Sequence, residues 1–115
     1  MKRIVLFAFN GDPVCFIHVL LNALDMNEKG YIIKIIIEGA ATQLIKPLAQ
    51  PDNPLHSHWE KAKELHLIEG VCKSCASKMG TLQEAESQGL PLLDDMSGHP
   101  GMGRFMDAGF DIITF

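Results

Sequence analysis

The feature that most constrains the fold is the segment Tyr31–Ile37, which reads Tyr-Ile-Ile-Lys-Ile-Ile-Ile. Nearly continuous β-branched segments are typical of strands that are buried on both faces, as in a parallel sheet. Arg3–Ala8 is a second predicted strand, short and rich in Ile, Val, Leu and Phe. Shorter predicted strands are Leu67–Cys72, Pro91–Leu93 and Asp111–Phe115. Helical stretches separate all five, and this alternation predicts a mostly parallel sheet covered by helices on both faces.

The helix boundaries follow from capping signals. Asp12 is a predicted N-cap with Pro13 at the first helical position, and Gly30 ends that first helix. Thr81 with Glu84 forms the pattern of a capping box for a helix that runs to Gln88. Further helices are predicted over Ala41–Ala49, over Trp59–His66, from within Cys72–Cys75 to Gly80, and from Ser97 or Gly98 to just before Gly109.

One segment interrupts the alternation of predicted strands and helices. Pro47–His58 contains three prolines and two histidines, which excludes a regular helix or an inner strand. Such a long loop is either a mobile lid or a surface connection.

Length and charge narrow the class of protein. The 115 residues fit a single domain, 1–115, and the net charge of −4 comes without any basic cluster. Nucleic acid is therefore not an expected partner. No apolar run is long enough to cross a membrane, and the apolar N-terminus is interpreted as a strand, not a signal peptide. We expect a cytoplasmic protein.

The first predicted helix is apolar around more than one face, from Val14 to Leu24. A helix of this kind is normally buried nearly all round, which a domain this small achieves most easily with a second subunit. The sequence therefore predicts a homo-oligomer.

Polar residues follow each predicted strand. In an open α/β sheet, sites form at the carboxyl ends of the strands. Those ends carry Asn10-Gly11-Asp12 with Cys15, then Glu38-Gly39-Ala40, then Cys72–Cys75, then Asp94–His99. We expect Cys72, Cys75 and His99 to share one edge of the sheet, with Cys15 as a further candidate.

The sharpest motif is Cys72-Lys73-Ser74-Cys75, at the predicted junction of a strand and a helix. Backbone N–H groups, the helix dipole and nearby lysines all favour a thiolate, so a lowered thiol pKa is predicted. Two cysteines at this spacing also form a disulfide readily. An odd count of three cysteines excludes a secreted disulfide scaffold and points to thiol chemistry or metal binding.

Other polar groups allow two interpretations each. Asn10-Gly11-Asp12 is either an anion-binding turn or, as we favour, a helix cap. The glycine-rich segment that contains Ser97 and His99 either presents N–H groups to an anion or is a tight entry turn. We take Cys15, Asn10, Gly39, Ser97 and His99 as candidate ligand-binding residues and expect no cofactor.

In the segment Gly70–Gly80, a cysteine is followed by a short helix that ends in glycine. With this segment and its apolar first strand and first helix, the chain resembles the DsrE/DsrF-like family over nearly its whole length. The resemblance implies a Rossmann-like or flavodoxin-like three-layer α/β sandwich that assembles into trimers or hexamers. It also implies sulfur carried as a persulfide, with Cys72 at the position of the family's functional cysteine and sulfur-donor or sulfur-acceptor proteins as partners.

The leading hypothesis is therefore a sulfur-handling or thiol-redox protein, in which Cys72 is the nucleophile or persulfide carrier and Cys75 the resolving or modulating thiol. The alternative is a non-catalytic metal-binding or small-ligand-binding module that uses Cys15, Cys72, Cys75 and a histidine.

Overall fold

A computed structural model describes residues 1–115 and contains one five-stranded sheet. Every strand is parallel to its neighbours. The strands are β1 (Arg3–Ala8), β2 (Ile32–Ile37), β3 (Ile68–Cys72), β4 (Leu92–Leu93) and β5 (Asp111–Thr114), in the spatial order β4-β3-β2-β1-β5. The predicted α/β class, with a Rossmann-like or flavodoxin-like three-layer arrangement and about five strands, is confirmed.

Six α-helices connect the strands: α1 (Pro13–Glu28), α2 (Ile45–Leu48), α3 (His56–Glu64), α4 (Lys73–Lys78), α5 (Leu82–Ser87) and α6 (Gly103–Asp107). A 3₁₀ helix, Gly39–Leu44, precedes α2. None of these helices combines the length and apolar character that crossing a bilayer requires.

The two faces of the sheet are covered unequally. The chain steps outward from β1 to β4 and then returns past β1 to β5. Because parallel crossovers are right-handed, these opposite directions put the connecting helices on opposite faces. Helices α1 to α5 bury a cluster of 22 residues against one face. Only α6 covers the other face, where five residues are buried.

The strongest local signals predict the first helix well. The Asp12 side chain accepts a hydrogen bond from the Val14 N–H at 2.9 Å, as expected of an N-cap. Pro13 occupies the first turn, and Gly30 has a φ of +84° just after the C-cap. On the outer side of α1, Val14 is 69% exposed and Leu21 44% exposed. The homo-oligomer that would cover them stays a prediction, as does the cytoplasmic location.

The helix predicted over Ala41–Ala49 is wrong in type and length, because the chain forms the 3₁₀ helix and then the single turn of α2. Pro47 lies within α2, since a proline in the first turn of a helix removes no intrahelical hydrogen bond. The predicted loop Pro47–His58 is correspondingly shorter, because α3 already begins at His56. His56 Nδ1 lies 2.8 Å from the Leu48 carbonyl oxygen and so links α3 to α2.

Two further predictions are corrected. Thr81 makes no capping hydrogen bond to its own helix, and its hydroxyl instead donates to the Ala76 carbonyl at 3.5 Å. The last helix begins at Gly103 and not at Ser97 or Gly98. Ser97 and Gly98 have φ values of +50° and +91°, which belong to a left-handed turn and are incompatible with an α-helix.

Candidate functional site

Four side chains with chemically active atoms meet at the carboxyl ends of three neighbouring strands. Glu38 directly follows β2, Cys72 is the last residue of β3, Cys75 lies in α4, and His99 lies in the loop after β4. One donor atom from each, two sulfurs, a ring nitrogen and a carboxylate oxygen, lie within 4.8 Å of one another. We call this group the rim cluster.

Cys72 joins β3 to α4 without an intervening loop. It ends the strand and is also the N-cap of the helix, and its sulfur accepts a hydrogen bond from the Cys75 N–H at 3.3 Å. Cys72 is completely buried, whereas Cys75 is partly exposed. Both thiols are free. The two sulfurs therefore share one site but differ in their access to solvent.

His99 is positioned by the backbone of its own turn and by α4. The Met96 N–H donates to the His99 carbonyl at 2.7 Å, and the His99 N–H donates back to the Met96 carbonyl at 3.0 Å. The Ser74 N–H donates to the Gly98 carbonyl at 2.9 Å, which holds this turn against α4. As a result, His99 Nδ1 lies 3.1 Å from the Cys72 sulfur and 3.7 Å from the Cys75 sulfur.

Glu38 is a buried carboxyl group without a cationic partner. Its side chain takes part in none of the chain's salt bridges. Its backbone N–H donates to the Ala8 carbonyl at 2.8 Å, which fixes the residue where β2 ends beside β1. Burial raises the pKa of Glu38 to about 7, and a hydrogen bond with the Cys72 side chain opposes that rise.

The Cys72 thiol is harder to ionise than the sequence predicts. Burial raises the pKa of Cys72 to about 12, and the Cys75 N–H only partly offsets this effect. The nearby Cys75 side chain and the Glu38 charge raise the Cys72 pKa further. The predicted lowering of the thiol pKa is therefore wrong for Cys72, because loss of water outweighs the N–H groups at the start of α4.

No family model and no solved structure matches this chain. The uncharacterized protein MJ0733 of Methanocaldococcus jannaschii is 38% identical over 96 residues, which cover 84% of this chain and 76% of that protein. This chain belongs to the MJ0733 family. An uncharacterized protein of Archaeoglobus fulgidus is 46% identical over 41 residues, which cover 36% of this chain and 67% of that protein.

Among the residues predicted for the site, the MJ0733-family fold brings together Cys72, Cys75 and His99. Cys15 lies in the first turn of α1, outside the rim cluster. Asn10 accepts a hydrogen bond from the Asp12 N–H at 2.8 Å and so belongs to the cap of α1.

Gly39 and Ser97 also lie at this edge of the sheet. Gly39 starts the 3₁₀ helix with a φ of +54°, and a Cβ there would lie 3.3 Å from the Phe9 carbonyl oxygen. Ser97 is exposed in the turn before His99. Ligand binding by Cys15, Asn10, Gly39 and Ser97 stays a prediction.

Glu38 is the residue that sequence reasoning missed as a site residue. The available signal was its position, as the first polar residue after the most apolar strand. The sequence does not reveal that β2 lies directly beside β3, which is what brings Glu38 to the two cysteines.

Proposed function

We propose that this MJ0733-family protein handles sulfur or transfers thiol redox equivalents through Cys72 and Cys75, in the manner of the DsrE/DsrF-like proteins that its sequence resembles. The observation that carries the proposal is the pairing of a partly exposed sulfur with a buried one beside two proton acceptors. Sulfur-donor or sulfur-acceptor proteins, a homo-oligomeric state and a cytoplasmic location are part of the same proposal.

Burial favours an exchange of the two roles that the sequence suggested. A sulfur donor cannot reach Cys72, whose side chain is completely buried, whereas Cys75 is partly exposed. The pKa of Cys72, raised to about 12, also disfavours its thiolate. We therefore assign sulfur capture to Cys75 and resolution to Cys72.

The first step is a thiol–persulfide exchange. The Cys75 thiolate attacks the terminal sulfur of a donor persulfide, R–S–S–H. A new bond forms between that sulfur and Cys75, the donor's S–S bond breaks, and the donor leaves as the thiolate R–S⁻. Cys75 then carries the persulfide, and no external oxidant or reductant is needed.

In the second step, Cys72 attacks the Cys75 sulfur that is bonded to the protein. The Cys72 proton passes to His99 Nδ1, 3.1 Å away, or to Glu38, whose pKa of about 7 lets it accept a proton at neutral pH. A Cys72–Cys75 disulfide forms as hydrosulfide leaves, and an external dithiol reductant restores both thiols.

Intact-mass spectrometry on the reduced, chelator-treated protein tests the proposal with a low-molecular-weight persulfide as donor. We expect Cys72→Ser to gain the mass of one sulfur atom stably, since the resolving thiol is missing. Wild type should release hydrosulfide and end as a disulfide, and Cys75→Ser should take up no sulfur.

Cys15→Ser is the matched control and should behave as wild type. Trypsin cuts after Lys73 and so places Cys72 and Cys75 on separate peptides, which locates the added sulfur. Equal loading of Cys75→Ser and wild type, or loading on Cys15, would contradict the proposal.

A further inference from the structure

We propose that Glu38, Cys72, Cys75 and His99 bind one Zn²⁺ ion as a closed four-ligand site. Two thiolates, an imidazole nitrogen and a carboxylate oxygen are all ligands that zinc accepts in proteins, and structural zinc sites are four-coordinate. The inference goes beyond the proposed function, because sulfur handling requires no metal and leaves Glu38 only a proton acceptor.

The distances in the rim cluster suit a tetrahedral ion. With Zn–S and Zn–N bonds of roughly 2.3 and 2.0–2.1 Å, a tetrahedral site places a sulfur and a nitrogen ligand about 3.6 Å apart. The two sulfurs lie 3.1 and 3.7 Å from His99 Nδ1, on either side of that value. All four donor atoms lie within 4.8 Å of one another, so a central ion requires only small side-chain adjustments.

The rim cluster contains three acidic groups and no fixed positive charge, so a bound cation would balance the charge that these groups gain when they ionise as ligands. Glu38 is buried, yet no lysine or arginine pairs with it. The nearest lysine along the chain to the cysteines, Lys73, is exposed and lies 3.7 Å from Asp94. A buried carboxylate beside two thiolates is costly unless a positive charge is placed among them.

The surroundings of the sulfurs match those of metal-bound thiolates. The Cys75 N–H donates to the Cys72 sulfur at 3.3 Å, and such outer hydrogen bonds orient ligands and stabilise their charged form. His99 is held in place by the backbone hydrogen bonds of its turn and by the Ser74–Gly98 bond. The ligand positions are therefore fixed by the fold before an ion arrives.

Absorption spectroscopy of reduced, metal-stripped wild type tests the site with Co²⁺ as a probe and Zn²⁺ as a competitor. We expect one Co²⁺ per chain, intense visible bands of tetrahedral cobalt, thiolate-to-cobalt charge transfer, and displacement of Co²⁺ by Zn²⁺. Weak octahedral bands without charge transfer would overturn the proposal.

Matched variants identify the ligands. Glu38→Gln and His99→Gln should each weaken Zn²⁺ binding by more than the roughly 10–100-fold cost of losing an outer-shell partner. Glu69→Gln and His18→Gln change the same residue types outside the cluster and should bind as wild type does. Zn²⁺ binding by Glu38→Gln equal to that of wild type would overturn the four-ligand site.

A measurement on wild type alone guards against variants that fail to fold. Zn²⁺ should protect Cys75, the more accessible of the two ligand thiols, from alkylation while leaving Cys15 as reactive as before, read from the separate tryptic peptides. Alkylation of Cys75 at the same rate with and without Zn²⁺ would count against the site.

The two proposals fail separately. Zn²⁺ binding by a protein that takes up no sulfur after chelation would leave the metal site standing and refute the proposed function. Sulfur uptake on Cys75 by a protein that does not bind Zn²⁺ would support the proposed function and refute the metal site.

Discussion

The carboxyl edge of the sheet has two regions that use similar side chains in opposite ways. The β1 end, residues 10–15, carries an amide, a carboxylate and a cysteine. Its Asn10 and Asp12 side chains accept hydrogen bonds from the backbone two residues further on. The side chains of the rim cluster instead contact one another across three strands.

This difference shows how a helix-capping side chain can be distinguished from a functional-site side chain. The only polar contacts of Asn10 and Asp12 are with the backbone of their own turn, so their role is local. Cys72, by contrast, caps α4 and also contacts the His99 side chain. Glu38, Cys72 and His99 are brought together from distant parts of the chain, which local structure does not require. Convergence over long sequence separation is therefore the better indicator of function.

The largest difference that we predict is in thiol reactivity among the three cysteines. With a pKa of about 12, Cys72 has a thiolate fraction at pH 8 that is lower than that of an ordinary cysteine by roughly three orders of magnitude. In the metal-free native protein we expect Cys72 to be alkylated at least about tenfold more slowly than an unshifted thiol, since the higher nucleophilicity of its thiolate offsets only part of this deficit. Mass spectrometry of the tryptic peptides measures the three rates. In denaturant all three should react alike. Native Cys72 reacting as fast as Cys15 would contradict the burial argument.

Stability against pH should also differ between the two regions. The Glu38 pKa is raised from 4.5 to about 7, so the folded, metal-free protein holds a proton that the unfolded chain has lost in this window. The Glu38 contribution to stability is complete below pH 4.5 and falls as pH rises toward 7. Urea unfolding of Glu38→Gln should lack this fall, whereas Asp12→Asn should retain it. An unchanged pH profile in Glu38→Gln would rule out Glu38 as its source.

The rim cluster depends on the spacing between β3 and β4, which Gly70→Ala should reveal. A Cβ at Gly70 would lie 2.6 Å from Leu93 Cγ and 2.9 Å from the Pro91 carbonyl oxygen. We expect a loss of about 1–3 kcal/mol in denaturant unfolding from overpacking. Weaker Zn²⁺ binding should accompany it, since β4 and the loop with His99 must shift. Gly103→Ala, where a Cβ meets no atom within 4 Å, is the control. Gly70→Ala with wild-type stability and Zn²⁺ binding would refute the tight β3–β4 contact.

The smallest effect is expected at the β1 end. Asp12→Ala removes the cap of α1 and should lower the free energy of unfolding by about 1 kcal/mol. Zn²⁺ binding and sulfur uptake should match wild type, because Asp12 lies outside the rim cluster. Measurable loss of either activity in a folded Asp12→Ala protein would show that the two regions are coupled.

Sequence patterns predict the fold well where local signals are strong. The apolar strands β1 and β2, and the first helix with its Asp12 cap, appear within one residue or so of their predicted limits. Weak signals fail: residues 41–49 have helical composition but form a 3₁₀ helix and one α-turn. The Thr81–Glu84 pattern lacks its capping bond, and the Thr81 hydroxyl donates to the Ala76 carbonyl of the preceding helix.

The members of the rim cluster are only partly predictable from the sequence. Placing functional groups at the carboxyl ends of strands correctly groups Cys72, Cys75 and His99. Choosing between Cys15 and Glu38 requires the strand order, which depends on long-range packing. Because β2 separates β1 from β3, Glu38 lies beside the cysteines while Cys15 follows a strand further away.

The assembly of the rim cluster from residues 38, 72, 75 and 99 has a consequence for protein synthesis. Translation delivers the carboxylate first, then both thiols, and the imidazole only after β4 has been made. A chain still attached to the ribosome therefore presents an incomplete set of ligands until residue 99 has been added. For this reason, an ion bound by all four ligands would show that β2, β3 and β4 have already paired.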